Sequence, residues 1–149
     1  MDDALRELVR AWLIKAQHDL DTARQISGLP DGHLDTAIYH CQQAAEKVVK
    51  GFLTFHGRPL ERTHDVEKLA ALAAEVDSAF ARWTAAAATL TPYAIAYRYP
   101  EESAVLEPDR AEFDEALRTA AEFVQFVLSL LPHDVKPAAE HGKKQEPEE

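Results

Sequence analysis

The sequence predicts an all-α protein, an antiparallel up-and-down bundle of about five helices with a kinked fourth helix. Three observations carry this. Apolar residues recur at three- and four-residue spacing through successive segments, the pattern of helices that bury one face. No stretch alternates apolar and polar residues with the period of two that a half-buried strand needs. Only five glycines in 149 residues leave little material for hairpin turns.

The elements follow in order. Residues 4–26 place Leu5, Leu8, Val9, Trp12, Leu13, Ala16, Leu20, Ala23 and Ile26 on one broad stripe. The stretch SGLPDGH (27–33) breaks it and offers Asp31 as N-cap of the next helix. That helix, about 33–55, buries Leu34, Ile38, Cys41, Ala45, Val48 and Phe52, and HGRPLER (56–62) ends it. Thr63 is the expected cap of a third helix with Val66, Leu69, Ala70 and Ala73 inward. A fourth runs from Ser78 to Leu90, where Thr91-Pro92 starts a short bent segment, YAIAYRY, that Pro100 closes. The last helix starts at Asp109, with Glu112 at capping-box spacing, and continues to Leu128. The expected organisation is one bundle over 1–131 and a disordered acidic tail over 132–149, where apolar periodicity stops.

Composition bounds the function. A chain of this length makes one domain and buries roughly two-thirds of its unfolded surface. The single cysteine, Cys41, excludes an internal disulfide and, lying on a buried stripe, reads as core. No apolar run approaches the ~20 residues of a membrane span, and MDDALRELVR lacks a signal-peptide pattern. The expectation is a cytoplasmic protein with no membrane attachment. Five acids against three lysines give residues 132–149 a charge of −2, which leaves −8 of the total −10 on the bundle. A body this acidic repels polyanions, so DNA is not an expected partner, and any nucleotide or RNA site must be a local basic pocket.

Several polar residues do not fit a plain bundle. Asp19 falls inside the apolar stripe of the first helix, either reaching water at an edge or buried and paired. On the second helix Thr36, Tyr39, His40, Gln43, Glu46, Lys47 and Lys50 share a face opposite the core. Spacing favours a solvated face, although Tyr39 and the glutamines suit a surface that meets a partner. Three of the four tyrosines, Tyr93, Tyr97 and Tyr99, crowd around Arg98, which can offer a planar fork to a phosphate or neutralise a buried acid. Seven histidines invite a metal, but the lone Glu61-x-x-His64 pair straddles the expected helix start, and no metal or cofactor is expected. There is no glycine-rich phosphate loop and no GxSxG or HExxH motif.

Four blocks, AQHDLDTA (16–23), YHCQQAAEKVVKGFL (39–53), THDVEKL (63–69) and YAIAYRYPEE (93–102), together resemble the HEPN domain (higher eukaryotes and prokaryotes nucleotide-binding). The resemblance spans about residues 8–130. It implies a five-helix bundle, a homodimer, and a partnership with a minimal nucleotidyltransferase. It also implies a polar cleft built from Asp19, Glu46, Lys47, Lys50, His64, Tyr97 and Arg98. One departure matters. HEPN ribonucleases carry Arg-x4-6-His on a late helix, whereas Arg98 is followed by YPEESAVLEP, without histidine. Arg58-x5-His64 has the spacing but straddles a loop with Pro59, and we read it as chance.

The expected function is therefore a non-catalytic homodimer that partners a nucleotidyltransferase, as in toxin–antitoxin modules, and can hold a nucleotide in its cleft. The alternative is a ribonuclease toxin using an atypical set, Arg98 with His64.

Overall fold

The computed structural model describes residues 1–138, which contain five α-helices and no strand. Helix α1 (Asp3–Ser27) is capped by Asp2, whose carboxylate accepts from the Leu5 N–H at 2.7 Å. Helix α2 (Leu34–Phe55) returns antiparallel to it: Asp19 meets His40 and Lys47, while Trp12 and Leu13 lie against Gly51. A Cβ on Gly51 would stand 2.9 Å from Leu13 Cδ2 and 3.1 Å from Trp12 Cβ, so glycine permits this close approach.

Helix α2 is the centre of the bundle. It packs on α1, on α3 (Val66–Val76), on α4 (Thr84–Leu90) and on α5 (Arg110–Ser129), and fourteen of its 22 residues are buried. Phe80 knits the far side, with its ring 4.8 Å from Phe52 and 5.1 Å from Phe126. Asp109 caps α5 by accepting from the Glu112 N–H, as the sequence predicts.

The expected fourth helix is in pieces. Ser78–Trp83 winds as a 3-10 helix, α4 follows, and Pro92 sits in a further 3-10 turn, Thr91–Ala94. Proline has no N–H to continue α4. Thr91 Oγ1 fixes the break, donating to the Ala87 carbonyl at 2.8 Å and accepting from the Glu67 N–H at 3.1 Å.

Four expectations are corrected. Asp31 does not cap α2: His33 occupies the cap position without a side-chain bond, and Asp31 lies two residues too early to reach the first turn. Thr63 does not cap α3 either. Asp65 does, accepting from the Lys68 N–H at 3.0 Å, while Thr63 Oγ1 accepts from the Asp65 N–H. Leu8 is exposed rather than buried with the stripe, and lines a surface hollow with Leu5 and Trp12. Finally, the bundle does not end at Leu131. His133–Val135 makes a one-turn 3-10 helix against α1, Val135 is fully buried, and Asp134 pairs with Arg6 at 3.3 Å while its carbonyl accepts from Arg10. The rest of the expected tail, residues 139–149, lies outside the described residues.

Burying a valine contributes about 1.5–3 kcal/mol. Truncation after Leu131, or Val135→Asp, should lower the unfolding free energy by a comparable amount, read as a lower chemical-denaturation midpoint. An unchanged midpoint would show that this turn adds nothing to the fold.

Candidate functional site

The polar residues of α2 divide into two clusters. Glu46 is the hub of the first. Its carboxylate accepts from Lys50 Nζ at 2.8 Å, from Gln43 Nε2 at 3.1 Å and from Gln42 Nε2 at 3.2 Å, with His64 Nδ1 at 3.0 Å. Gln42 also donates to the His64 carbonyl at 2.8 Å, tying the loop before α3 onto α2. Glu46, Lys50, Gln42 and Gln43 are all buried, and Lys50 lies over the Trp12 ring at 5.8 Å. Burial alone would push the Glu46 carboxyl up, but hydrogen bonds from Lys50 and His64 outweigh it and hold it below its ordinary value.

Asp19, on α1, is the hub of the second cluster. It is buried, and binds His40 Nδ1 at 2.7 Å and Lys47 Nζ at 2.8 Å. Here too desolvation raises the carboxyl while His40 and Lys47 lower it further, so the net shift is downward. The face expected to be solvated is therefore largely interior. Periodicity cannot distinguish water from a loop and a neighbouring helix that arrive to cover a face.

Arg98 belongs to neither cluster. Its guanidinium stacks over the Tyr39 ring at 4.1 Å and lies 5.2 Å from the Tyr99 centroid, while Nη1 donates to the Ala94 carbonyl at 2.9 Å. Among the described residues no carboxylate pairs with it, which removes the reading in which it neutralises Asp19 or Glu46. Arg98 instead lines a surface cleft of about 320 Å³ with Asp35, Thr36, Tyr39, His40 and Tyr97.

The segment that presents Arg98 is held from α5. Tyr93 and Tyr97 stack with their rings 15° apart, and both hydroxyls donate to Glu112, at 2.6 and 2.9 Å. Burial and the adjacent carboxylate push both phenols above their ordinary range. Tyr97 takes a φ of 70°, a left-handed conformation that non-glycine residues adopt only when their surroundings impose it. The paired bonds to Glu112 supply that constraint and turn the chain so that Arg98 faces the cleft.

Of the seven residues the family resemblance implied, the structure groups Tyr97 with Arg98, Asp19 with Lys47, and Glu46 with Lys50 and His64. His64 does not line the Arg98 cleft, so the pair invoked for an atypical ribonuclease is not assembled there. Sequence reasoning placed Tyr39 and His40 on the polar face of α2 but not at the Arg98 cleft, and took Glu112 only for a capping residue. The signal for His40 was its seven-residue spacing from Lys47, two turns apart on one face. Cys41 is core, with its thiol pushed up to about 12 by burial. His33, Asp35 and Glu107 bring one potential metal-ligand atom each within 4.8 Å of the others, at the surface.

An all-α bundle with a polar cleft of this kind defines a broad class, and comparison narrows it. A family model described as HEPN domain matches residues 9–130, and the chain belongs to that family. Among solved structures it is similar to TT1696 from Thermus thermophilus, at 32% identity and a TM-score of 0.70, over 84% of this chain and 99% of that one. It is also similar to ST0689, an archaeal HEPN homologue, at 28% identity and a TM-score of 0.64, over 82% of this chain and 96% of that one. No curated protein matches it significantly. No helix among the described residues is long and apolar enough to cross a membrane.

The division of the cations has consequences for stability. Lys50→Ala strands Glu46 and should cost about 3–5 kcal/mol, whereas Arg98→Ala, at an exposed position, should cost roughly 1 kcal/mol or less. Equal losses in urea denaturation would contradict the division. Both hub carboxylates have folded-state values below their unfolded values of 4.5 and 3.8, so the unfolded chain binds more protons as the medium is acidified. Their stabilisation is fully present above these values and is lost as pH falls through the lower folded-state ones. Stability should therefore drop on acidification below about pH 4.5, and less steeply in Glu46→Gln.

Proposed function

We propose that this HEPN protein acts as a homodimer that partners a nucleotidyltransferase, in a module of the toxin–antitoxin kind, and holds a nucleotide in the cleft beneath Arg98. The observation that carries the binding claim is the state of Arg98. It is exposed, oriented by Tyr39 and the Ala94 carbonyl, and without a carboxylate partner among the described residues. A guanidinium prepared in this way recognises phosphate through paired, charge-assisted hydrogen bonds. The acidic remainder of the chain leaves such a local site as the place where an anion can settle.

The dimer and the nucleotidyltransferase partner rest on family membership. Gln43, Glu46 and Lys50 are buried within one chain and are not available to a second.

Titration with 5′-AMP should show saturable binding that Arg98→Ala weakens by about 1.5–3 kcal/mol, roughly ten- to a hundredfold. Lys47→Ala, outside the cleft lining, should change affinity far less. An Arg98→Ala protein that binds as well as its parent would overturn the assignment. Light scattering at micromolar concentration should give twice the chain mass, and a monomer would refute the homodimer.

A further inference from the structure

Three side chains at one end of the bundle have no part in either carboxylate cluster: His33, Asp35 and Glu107. They come from the start of α2 and from the segment just before α5, and only the fold brings them together. One imidazole nitrogen and one oxygen from each carboxylate lie within 4.8 Å of one another. No ligand-spacing motif announces them, because Glu107 is remote in sequence from the other two.

Each is placed by the backbone and left with donor atoms to offer. His33 occupies the N-cap of α2, where Ser, Thr, Asp or Asn ordinarily closes the first turn, yet its ring makes no cap bond. Asp35 accepts from the Thr36 N–H through Oδ1 at 2.7 Å, which fixes the carboxylate and leaves Oδ2 without a partner among the described residues. Glu107 is anchored by its neighbours, since Pro108 is buried and Asp109 caps α5. Asp35 and Glu107 also line a hollow of about 220 Å³ with Arg98. That guanidinium is engaged with Tyr39, Tyr99 and the Ala94 carbonyl, and pairs with neither acid. Among the described residues no ion pair includes any of the three. Two ionised carboxylates held this close repel each other, and a cation between them removes the repulsion.

We infer that His33, Asp35 and Glu107 bind a divalent transition metal of the zinc class, which ties the segment before α5 to the start of α2. The donor set selects the metal. An imidazole beside two carboxylates suits zinc, whereas magnesium and calcium favour oxygen ligands alone. Zinc holds its ligands at about 2.0–2.2 Å, so in a tetrahedron the ligand atoms stand roughly 3.4 Å apart. His33 and Glu107 are exposed and close to that spacing by side-chain rotation, with water in the fourth position. The N-terminal end of α2 and Arg98 both carry positive charge that opposes a cation, and the two carboxylates offset it. The tie matters because little else holds the segment. From Glu101 to Glu107 every residue but Ser103 is exposed. The Glu102 N–H bonds the Tyr99 carbonyl and the Val105 N–H bonds Ser103 Oγ, both local contacts that do not reach another helix. The metal site is independent of nucleotide binding at Arg98, and either can fail without the other.

The test is calorimetric titration of the untagged full chain, stripped with EDTA and dialysed, with zinc chloride and separately with magnesium chloride. One zinc should bind per chain, at least about tenfold tighter than magnesium. Glu107→Gln and His33→Ala should each weaken zinc by at least about tenfold, a loss that removal of an outer-shell partner alone already reaches. His18→Ala, exposed and outside the cluster, should leave zinc affinity unchanged. Zinc should also slow amide hydrogen exchange over residues 103–107 in the parent but not in Glu107→Gln. Both substituted positions are exposed, so the variants should keep the parent's far-UV circular dichroism. Zinc binding that survives both substitutions, magnesium that binds as tightly as zinc, or exchange that zinc leaves unchanged would overturn the inference.

Discussion

Glu46 is a carboxylate on a helix that has almost no side facing water, and much of the structure is arranged around that fact. With fourteen of 22 residues of α2 buried, an ionised group there must find its partners inside the protein. Lys50, one turn along, supplies the charge, Gln42 and Gln43 supply donors, and His64 closes the set from the loop. Gln42 then holds the His64 carbonyl, so the network that satisfies Glu46 also fixes where the chain enters α3. Removing Lys50 leaves the buried Glu46 without its charge partner, which costs more than the intact interaction contributes.

The same logic governs the second cluster. Asp19 is satisfied by His40 and Lys47, so the conspicuous lysines of the middle helix are committed to internal acids. Arg98 is the cation in this region with no such commitment. It is kept that way by a segment shaped for the purpose: Pro92 ends α4, Glu112 takes both tyrosine hydroxyls, and Tyr97 adopts a left-handed backbone. Arg98 therefore projects over Tyr39 and not toward Asp19 or Glu46.

The helices were legible because apolar spacing reports directly on which face is buried, and α1, α2, α3 and α5 fall where that spacing puts them. Cap identity was harder. Thr63 and Asp65 are both competent caps two residues apart, and only the geometry of the entering loop selects Asp65. Val135 was overlooked because one apolar residue among prolines and charges has no periodicity, yet a single turn suffices to bury it. Within the site, Asp19 betrayed itself by interrupting an apolar stripe, and Arg98 by its crowd of tyrosines. The burial of Glu46 and Lys50 was invisible, since an i,i+4 pair reads the same on a wet face as beneath a loop. Glu112 was read only as a capping residue, because nothing in sequence connects it to Tyr93 and Tyr97.

The central claim is that the cations of this region divide into committed ones, Lys47 and Lys50, and a free one, Arg98. Side-chain NMR tests it directly, by following the Arg98 Nε–H and the lysine Nζ resonances while inorganic phosphate and then a nucleotide are added. The account predicts a saturable shift at Arg98 with the resonances of Lys50 and Lys47 nearly stationary. Movement of Lys50 with a stationary Arg98 would place the anion site at the Glu46 cluster and contradict it.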